Sequence, residues 1–196
     1  MDSSSVNCSD GVGFIRGNNS MEDKTSLEQF PEHLQAIGMI SIENGRLEIA
    51  LAGLFGVILR VSKNLSHAIY FTPRAAALRI GILEASAKVK FATQKDIFNK
   101  IRGLAKRSRN LIQKRHDIIH DAWIVGQYHH EKSVTNLVIK IPTSDFATFD
   151  KMEIIELKEL KVIIDDFRIL IDEIYSFSSS LRPSRKTANR KSSTNS

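Results

Sequence analysis

Apolar residues Leu47, Leu51, Leu54, Ile58 and Val61 recur at alternating steps of four and three. That is the repeat of one face of an α-helix. The pattern predicts a first long helix over residues 42–63, preceded by a short turn or helix at residues 32–38. Gly45, Gly53 and Gly56 interrupt it and cost helix propensity. Glycines inside an apolar helix permit close approach, so a tight helix–helix contact is expected there. "SHAIYFT", residues 66–72, reads as a short helical turn before Pro73. Pro73 fits the first turn of the next helix, with Thr72 as its cap, and that helix runs to about Phe91. Thr93 opens "TQKD", which places an acid three residues after a capping hydroxyl. A further helix is therefore expected over residues 94–124, broken near Gly103.

After Trp123 the period changes. "WIVGQYHHEKSVTNLVIKIP" sets β-branched and aromatic residues around a polar centre. It predicts a β-hairpin with strands at residues 124–128 and 135–141, closed by Pro142. "KMEII", residues 151–155, is either a third short strand or the start of the last helix. From residue 157 to 177 a helical stripe returns, through Leu160, Ile163, Ile164, Phe167, Leu170, Ile171 and Ile174. The expected fold is mainly all-α, a helical bundle with a small β-hairpin inserted before the C-terminal helix.

Residues 1–25 are rich in Ser, Asn and Gly with little apolar periodicity, and read as disordered. Residues 178–196 read the same way, leaving one helical domain over residues 26–177. The net charge of +6 is uneven: the last stretch carries +5, from Arg182, Arg185, Lys186, Arg190 and Lys191. The first 25 residues carry −2, which leaves +3 for the body. A mildly basic body with a basic tail is compatible with nucleic acid without demanding it. Within the body, residues 99–116 hold Lys100, Arg102, Lys106, Arg107, Arg109, Lys114 and Arg115 and no acid. Residues 150–173 are the reverse, with eight acids and four bases. Either the two helices neutralise each other, or Lys106, Arg107, Arg109 and Lys114 present a phosphate-binding face. Both hold if only part of the basic helix faces the acids.

Several chemistries have no footing. Cys8 is the single cysteine, so no intramolecular disulfide forms and a reducing, cytoplasmic setting is expected. The longest uncharged apolar run, residues 49–59, is about half the roughly 20 residues of a membrane span. No signal peptide is expected, because no basic stretch precedes an apolar one at the amino terminus. His129 and His130 beside Glu131 read as a solvated turn, since a metal needs three or four convergent ligands. No metal and no cofactor is expected. "DGVG" near Asp10 lacks the flanking strand and helix of a phosphate loop, and there is no serine-hydrolase elbow.

One stretch carries chemistry: "RHDIIHDAW", residues 115–123. An Arg followed by a His after four to six residues is weak by itself. Thirteen Arg and six His would give roughly one such match by chance. The chain has three, Arg60 with His67, Arg109 with His116, and Arg115 with His120. Context favours the last. A polar residue follows Arg115, Ile118 and Ile119 can anchor the segment in a core, and Trp123 comes just after. Arg115, His116 and His120 would then stand at the core's edge.

"KRHDIIHDAW" resembles the arginine-to-histidine motif of HEPN domains, the higher eukaryotes and prokaryotes nucleotide-binding superfamily. A close branch is similar over a longer span, about residues 42–177. It has an early helix with a Leu-Glu pair, matched here by Leu47 and Glu48, then the motif, a tryptophan, a hairpin and a last amphipathic helix. Members often carry Asn after the motif Arg and Gly after the motif His; this chain has His116 and Asp121. The resemblance implies a helical bundle that usually forms a homodimer. It implies a metal-independent endoribonuclease, often in toxin–antitoxin or anti-phage defence, with an antitoxin protein as partner. Other members are inactive and only bind RNA or protein.

RNA supplies its own nucleophile, the 2′-hydroxyl. Cleavage then needs a proton acceptor, a proton donor for the leaving 5′-oxygen, and positive charge at the phosphate. Histidine can serve as acid or base near neutral pH, and arginine presents a planar fork to phosphate oxygens. The candidate roles are His120 as acid/base, Arg115 as phosphate clamp, and His116 or Asp117 as orienting groups. Glu48 is a supporting candidate that could pair with Arg115 or orient His120, or could equally be a surface glutamate. Residues five apart on a helix stand roughly 140° apart, so Arg115 and His120 do not share a face. His116 and His120 do. A two-fold dimer facing both motifs into one groove would complete the site.

Overall fold

The structure is a computed structural model and describes residues 27–130, 133–141 and 153–182. The expectations for residues 1–25, the hairpin tip, Pro142, Lys151 and the tail beyond residue 182 lie outside the described residues. A short 3-10 turn, Leu27–Gln29, leads into α1, Pro31–Leu59. There follow α2, Lys63–Tyr70; α3, Ala76–Lys90; α4, Lys95–His120; and α5, Leu157–Ser180. Between α4 and α5 lie β1, Ala122–His130; β2, Ser133–Ile141; and β3, Glu153–Ile154. The fold is mainly all-α, a helical bundle with a small antiparallel sheet inserted before its last helix. Among the described residues no single helix is long and apolar enough to cross a membrane.

α1 is the central element. It packs against α2, α3, α4 and α5. Its buried residues include Leu47, Ala50, Leu51, Ala52, Leu54, Phe55 and Ile58, which cover more than half of its circumference rather than a narrow stripe, while Ile42, Arg46 and Ile49 on the remaining face are exposed. A helix apolar on most sides is stable only when enclosed. α5 runs beside it in the same direction and presents Leu160, Ile164, Phe167, Leu170, Ile171 and Ile174, all buried. α3 adds Ile80, Leu83 and Ala87, and α4 adds Ile101, Leu104, Ala105, Leu111 and Ile118.

Several boundaries differ from the sequence expectation. The leading turn at residues 32–38 is continuous with the first helix, which begins at Pro31, where proline's missing N–H costs nothing. That helix stops at Leu59, so Val61 lies beyond it. Pro73 does not open α3: Ala75 precedes its first turn, and Thr72 instead donates its hydroxyl to the Ala68 carbonyl. Gln94 rather than Thr93 precedes α4, with no side-chain cap, and α4 is unbroken at Gly103. It ends at His120, four residues short of expectation. α5 continues to Ser180, and Ser178 is buried, so the helical domain reaches past residue 177. The expected close helix contact is real at Gly56, where an added Cβ would lie 2.8 Å from Ser66 of α2. Gly45 and Gly53 face open space.

The hairpin pairs Ala122 with Ile141 through to His130 with Ser133. β3 joins the free edge of β2, with Ile139 opposite Ile154 and Lys140 opposite Glu153. The third short strand is therefore the alternative that "KMEII" takes up.

Two buried carboxylates tie the bundle together. Glu43 is 1% exposed and accepts from Arg46 at 2.9 Å and from Arg168 Nε at 3.0 Å, joining α1 to α5. Glu48 lies 2.7 Å from Arg79 of α3, both largely buried. Its approach is too oblique for a hydrogen bond, so the contact is one of charge. Arg79 also donates to the carbonyls of Pro73 and Arg74, and its guanidinium sits 5.8 Å from the Phe71 ring. Burial, then the charge of Glu48, pushes the Tyr70 hydroxyl well above the usual range. Arg79→Met leaves Glu48 buried and uncompensated and should cost about 3 kcal/mol in urea unfolding. Adding Glu48→Gln to that variant should recover part of the loss. Additive losses in the double variant would show that the two groups do not interact.

Candidate functional site

The motif occupies the last turn and a half of α4. The helix ends there for local reasons. Asp121 leaves it at φ −74° and ψ 153°, an extended conformation open to any residue. No glycine is required after His120. The Asp121 N–H still reaches the Asp117 carbonyl at 3.1 Å. Trp123 folds back so that its indole N–H donates to the Ile118 carbonyl at 2.7 Å. That bond satisfies one of the carbonyls a helix end leaves unpaired. Ile118 is buried and Ile119 packs against the core, as the motif's spacing predicts.

Four side chains from this end fall into different settings. His116 and His120 are exposed, on the same face, with ring centroids 4.4 Å apart. Arg115 is half-buried, and its Nε is enclosed without a hydrogen-bond partner. Asp117 accepts from Gln113 at 2.7 Å, which directs it back along α4. Glu48 does not belong to this group. It pairs with Arg79 of α3 instead of reaching Arg115 or His120. The physical reason is its position on the central helix, where a carboxylate must be neutralised by the nearest cation.

A residue not singled out by the motif holds this end in place. Lys140 of β2 lies 3.5 Å from Asp121 and 3.0 Å from Glu153. Its side chain is 13% exposed. Burial alone would lower the Lys140 ammonium, but Glu153 and Asp121 outweigh it and raise the group above its ordinary value. The ion pairs link the helix end, β2 and β3. A lone lysine inside the apolar run "NLVIKI" was the available signal.

The basic helix is partly neutralised. Lys100 and Arg107 share the Glu173 carboxylate of α5, and Arg109 pairs with Glu84 of α3. Lys114 lies 3.9 Å from Asp166, at the limit of an ion pair. Lys106 is exposed and has no ion pair among the described residues, as has Arg102. Of the four expected phosphate contacts, Arg107 and Arg109 therefore carry acids already, Lys114 is loosely held and Lys106 is unengaged. Among the described residues no group of three His, Cys, Asp or Glu side chains could hold a metal ion.

Hydrogen bonds from Lys100 and Arg107 hold the Glu173 carboxyl below the usual carboxylate range. A carboxyl depressed in the folded state stabilises above its unfolded value and loses that benefit as pH falls through the folded one. Glu173→Gln should therefore cost up to about 1 kcal/mol near neutral pH, the scale of a partly exposed ion pair. The gap from wild type should close in acid, and a gap independent of pH in thermal unfolding would refute the assignment. In comparisons with protein-family models, with curated proteins and with solved structures, nothing matches this chain.

Proposed function

We propose that the chain is a metal-independent endoribonuclease of HEPN type, acting as a homodimer in a toxin–antitoxin or anti-phage defence setting. The observation that carries the reading is the exposed His116–His120 pair at the end of a basic helix, next to Arg115. Two imidazoles on one face can divide the work of acid and base. One takes the proton of the 2′-hydroxyl as that oxygen attacks phosphorus. The other protonates the departing 5′-oxygen, leaving a 2′,3′-cyclic phosphate. Arg115 supplies charge to the phosphate oxygens, and Lys106 and Lys114 guide the strand. Asp117 is a positioning residue through Gln113 and the helix backbone.

A second reading is supported by the ion pairs at Arg107 and Arg109. With those cations engaged, the same surface would serve a catalytically inactive module that binds RNA or a protein partner.

The test is cleavage of labelled single-stranded RNA by the full chain in the presence of EDTA, with growth inhibition on expression as a second readout. His120 is exposed, so its replacement leaves the core untouched. His120→Ala should slow cleavage by about 10²–10⁴-fold, the usual contribution of a general acid or base. It should also relieve growth inhibition. Equal behaviour of wild type and His120→Ala sinks the enzyme and leaves the binding module. A strictly monomeric protein that cleaves RNA would eliminate the two-fold composite site.

A further inference from the structure

A groove of about 610 Å³ opens at the far end of the bundle from the motif, where the end of α1, the start of α2 and the end of α5 meet. Asp166 of α5 lies near Lys114, next to the motif. Leu181, which lines the groove, comes fifteen residues later, about 22 Å at the helical rise. The size falls within the range of small-molecule sites. Its walls are apolar, through Ile49, Val57, Val61 and Leu181, and Gly53 leaves one wall open.

The polar lining is cationic. Arg60, Lys63 and Arg182 line the groove, and no acid does among the described residues. The contrast with α4 is informative, because three of its cations share acids of neighbouring helices. Arg60, Lys63 and Arg182 have no ion pair among the described residues. Two further features are local to the groove. His67 lines it, and its Nε2 is buried without a hydrogen-bond partner. Arg60 adopts φ 57°, the left-handed region that glycine normally fills at a helix end. The chain keeps a charged residue where glycine would be less strained.

We infer that this groove binds a small organic anion with an apolar body, its charged head held by Arg60, Lys63 and Arg182 and its body laid along Val57 and Leu181. A buried imidazole nitrogen without a partner is a hydrogen-bonding position that such a head group can fill. Three cations with no ion pair among the described residues, set around an apolar floor, select a negative head on an apolar frame over a neutral one.

Two dyes with the same aromatic frame separate charge from apolar burial. 1-Anilinonaphthalene-8-sulfonate carries a sulfonate; N-phenyl-1-naphthylamine does not. The full chain should bind the sulfonate saturably and about tenfold more tightly than the neutral dye. Arg60→Gly with Lys63→Gln should bring the two affinities within about twofold, and glycine suits the left-handed position. Gly53→Leu fills the groove where an added Cβ meets nothing within 4 Å, so it should abolish binding of both dyes. Leucine also favours the helix more than glycine, so the melting temperature of that variant should not fall. Equal affinity of wild type for the two dyes overturns the inference. So does dye binding that survives Gly53→Leu. A dimer that becomes monomeric in Gly53→Leu, with neither dye bound by wild type, marks the groove as a self-interface and also overturns it.

Discussion

The enclosure of α1 is the constraint on which the rest of the molecule depends. Its apolar residues lie on several sides, so no single partner helix can cover them. α5 must run alongside it, α3 and α4 must cover the remaining faces, and α2 must fold back at its end, where Gly56 lets Ser66 approach. The same enclosure explains the charges. A carboxylate on a buried helix has to meet a cation or lose its charge. Glu43 meets Arg46 and Arg168, and Glu48 meets Arg79. Glu43 meets Arg168 near the middle of both helices, and the ends of α1 and α5 meet again at Val57, Arg60, Tyr175 and Leu181, so the two helices run in the same sense. A parallel pair cannot be joined by a short loop. The long path through α2, α3, α4 and the sheet is the connection it requires.

That path decides what the motif presents. α4 runs against α5, which lines its cations along an acidic helix. Glu173 and Glu84 absorb three of them, and Asp166 approaches a fourth. The positive charge left unengaged on α4 is consequently sparser than the sequence shows, and it includes Lys106 and Arg102 on the exposed side. At its end, Trp123 and Lys140 fasten the helix to the sheet through a carbonyl and two carboxylates. The two histidines project from a clamped turn rather than a fraying one.

The elements were legible where burial is one-sided. The stripe of α5 follows residue by residue from the helical repeat, and the hairpin strands extend somewhat beyond the expected bounds. The start of α1 was not legible, because Glu32, Gln35 and Gly38 break the apolar repeat while leaving the helix intact. α3 begins after Ala75 rather than at Pro73, although Thr72 and Pro73 have the composition of a helix opening. The side chain of Thr72 has a nearer acceptor one turn back, at Ala68. Around the motif, the exposure of His116 and His120 and the anchoring by Ile118 follow from helical spacing. The partners of Glu48, Glu43 and Lys140 do not. Arg79, Arg168 and Asp121 are separated from them by 19 to 125 positions, and local spacing carries no information about which cation and which acid will meet.

Helix geometry sharpens what a second copy would contribute to the proposed chemistry. Arg115 and His120 stand about 140° apart around α4, and only His120 is exposed. His116 and His120 already stand together within one chain, with rings 4.4 Å apart. An acid and a base are thus available without a partner, whereas a guanidinium directed at the same phosphate is not. On the ribonuclease reading the gain from a two-fold dimer is charge at the phosphate rather than a second proton-transfer group. Substitution of Arg115 in one protomer of a dimer would then impair the site formed by the other protomer's histidines, while substitution of His120 would impair its own. Mixed dimers of the two single variants would retain one intact site, which neither variant has alone.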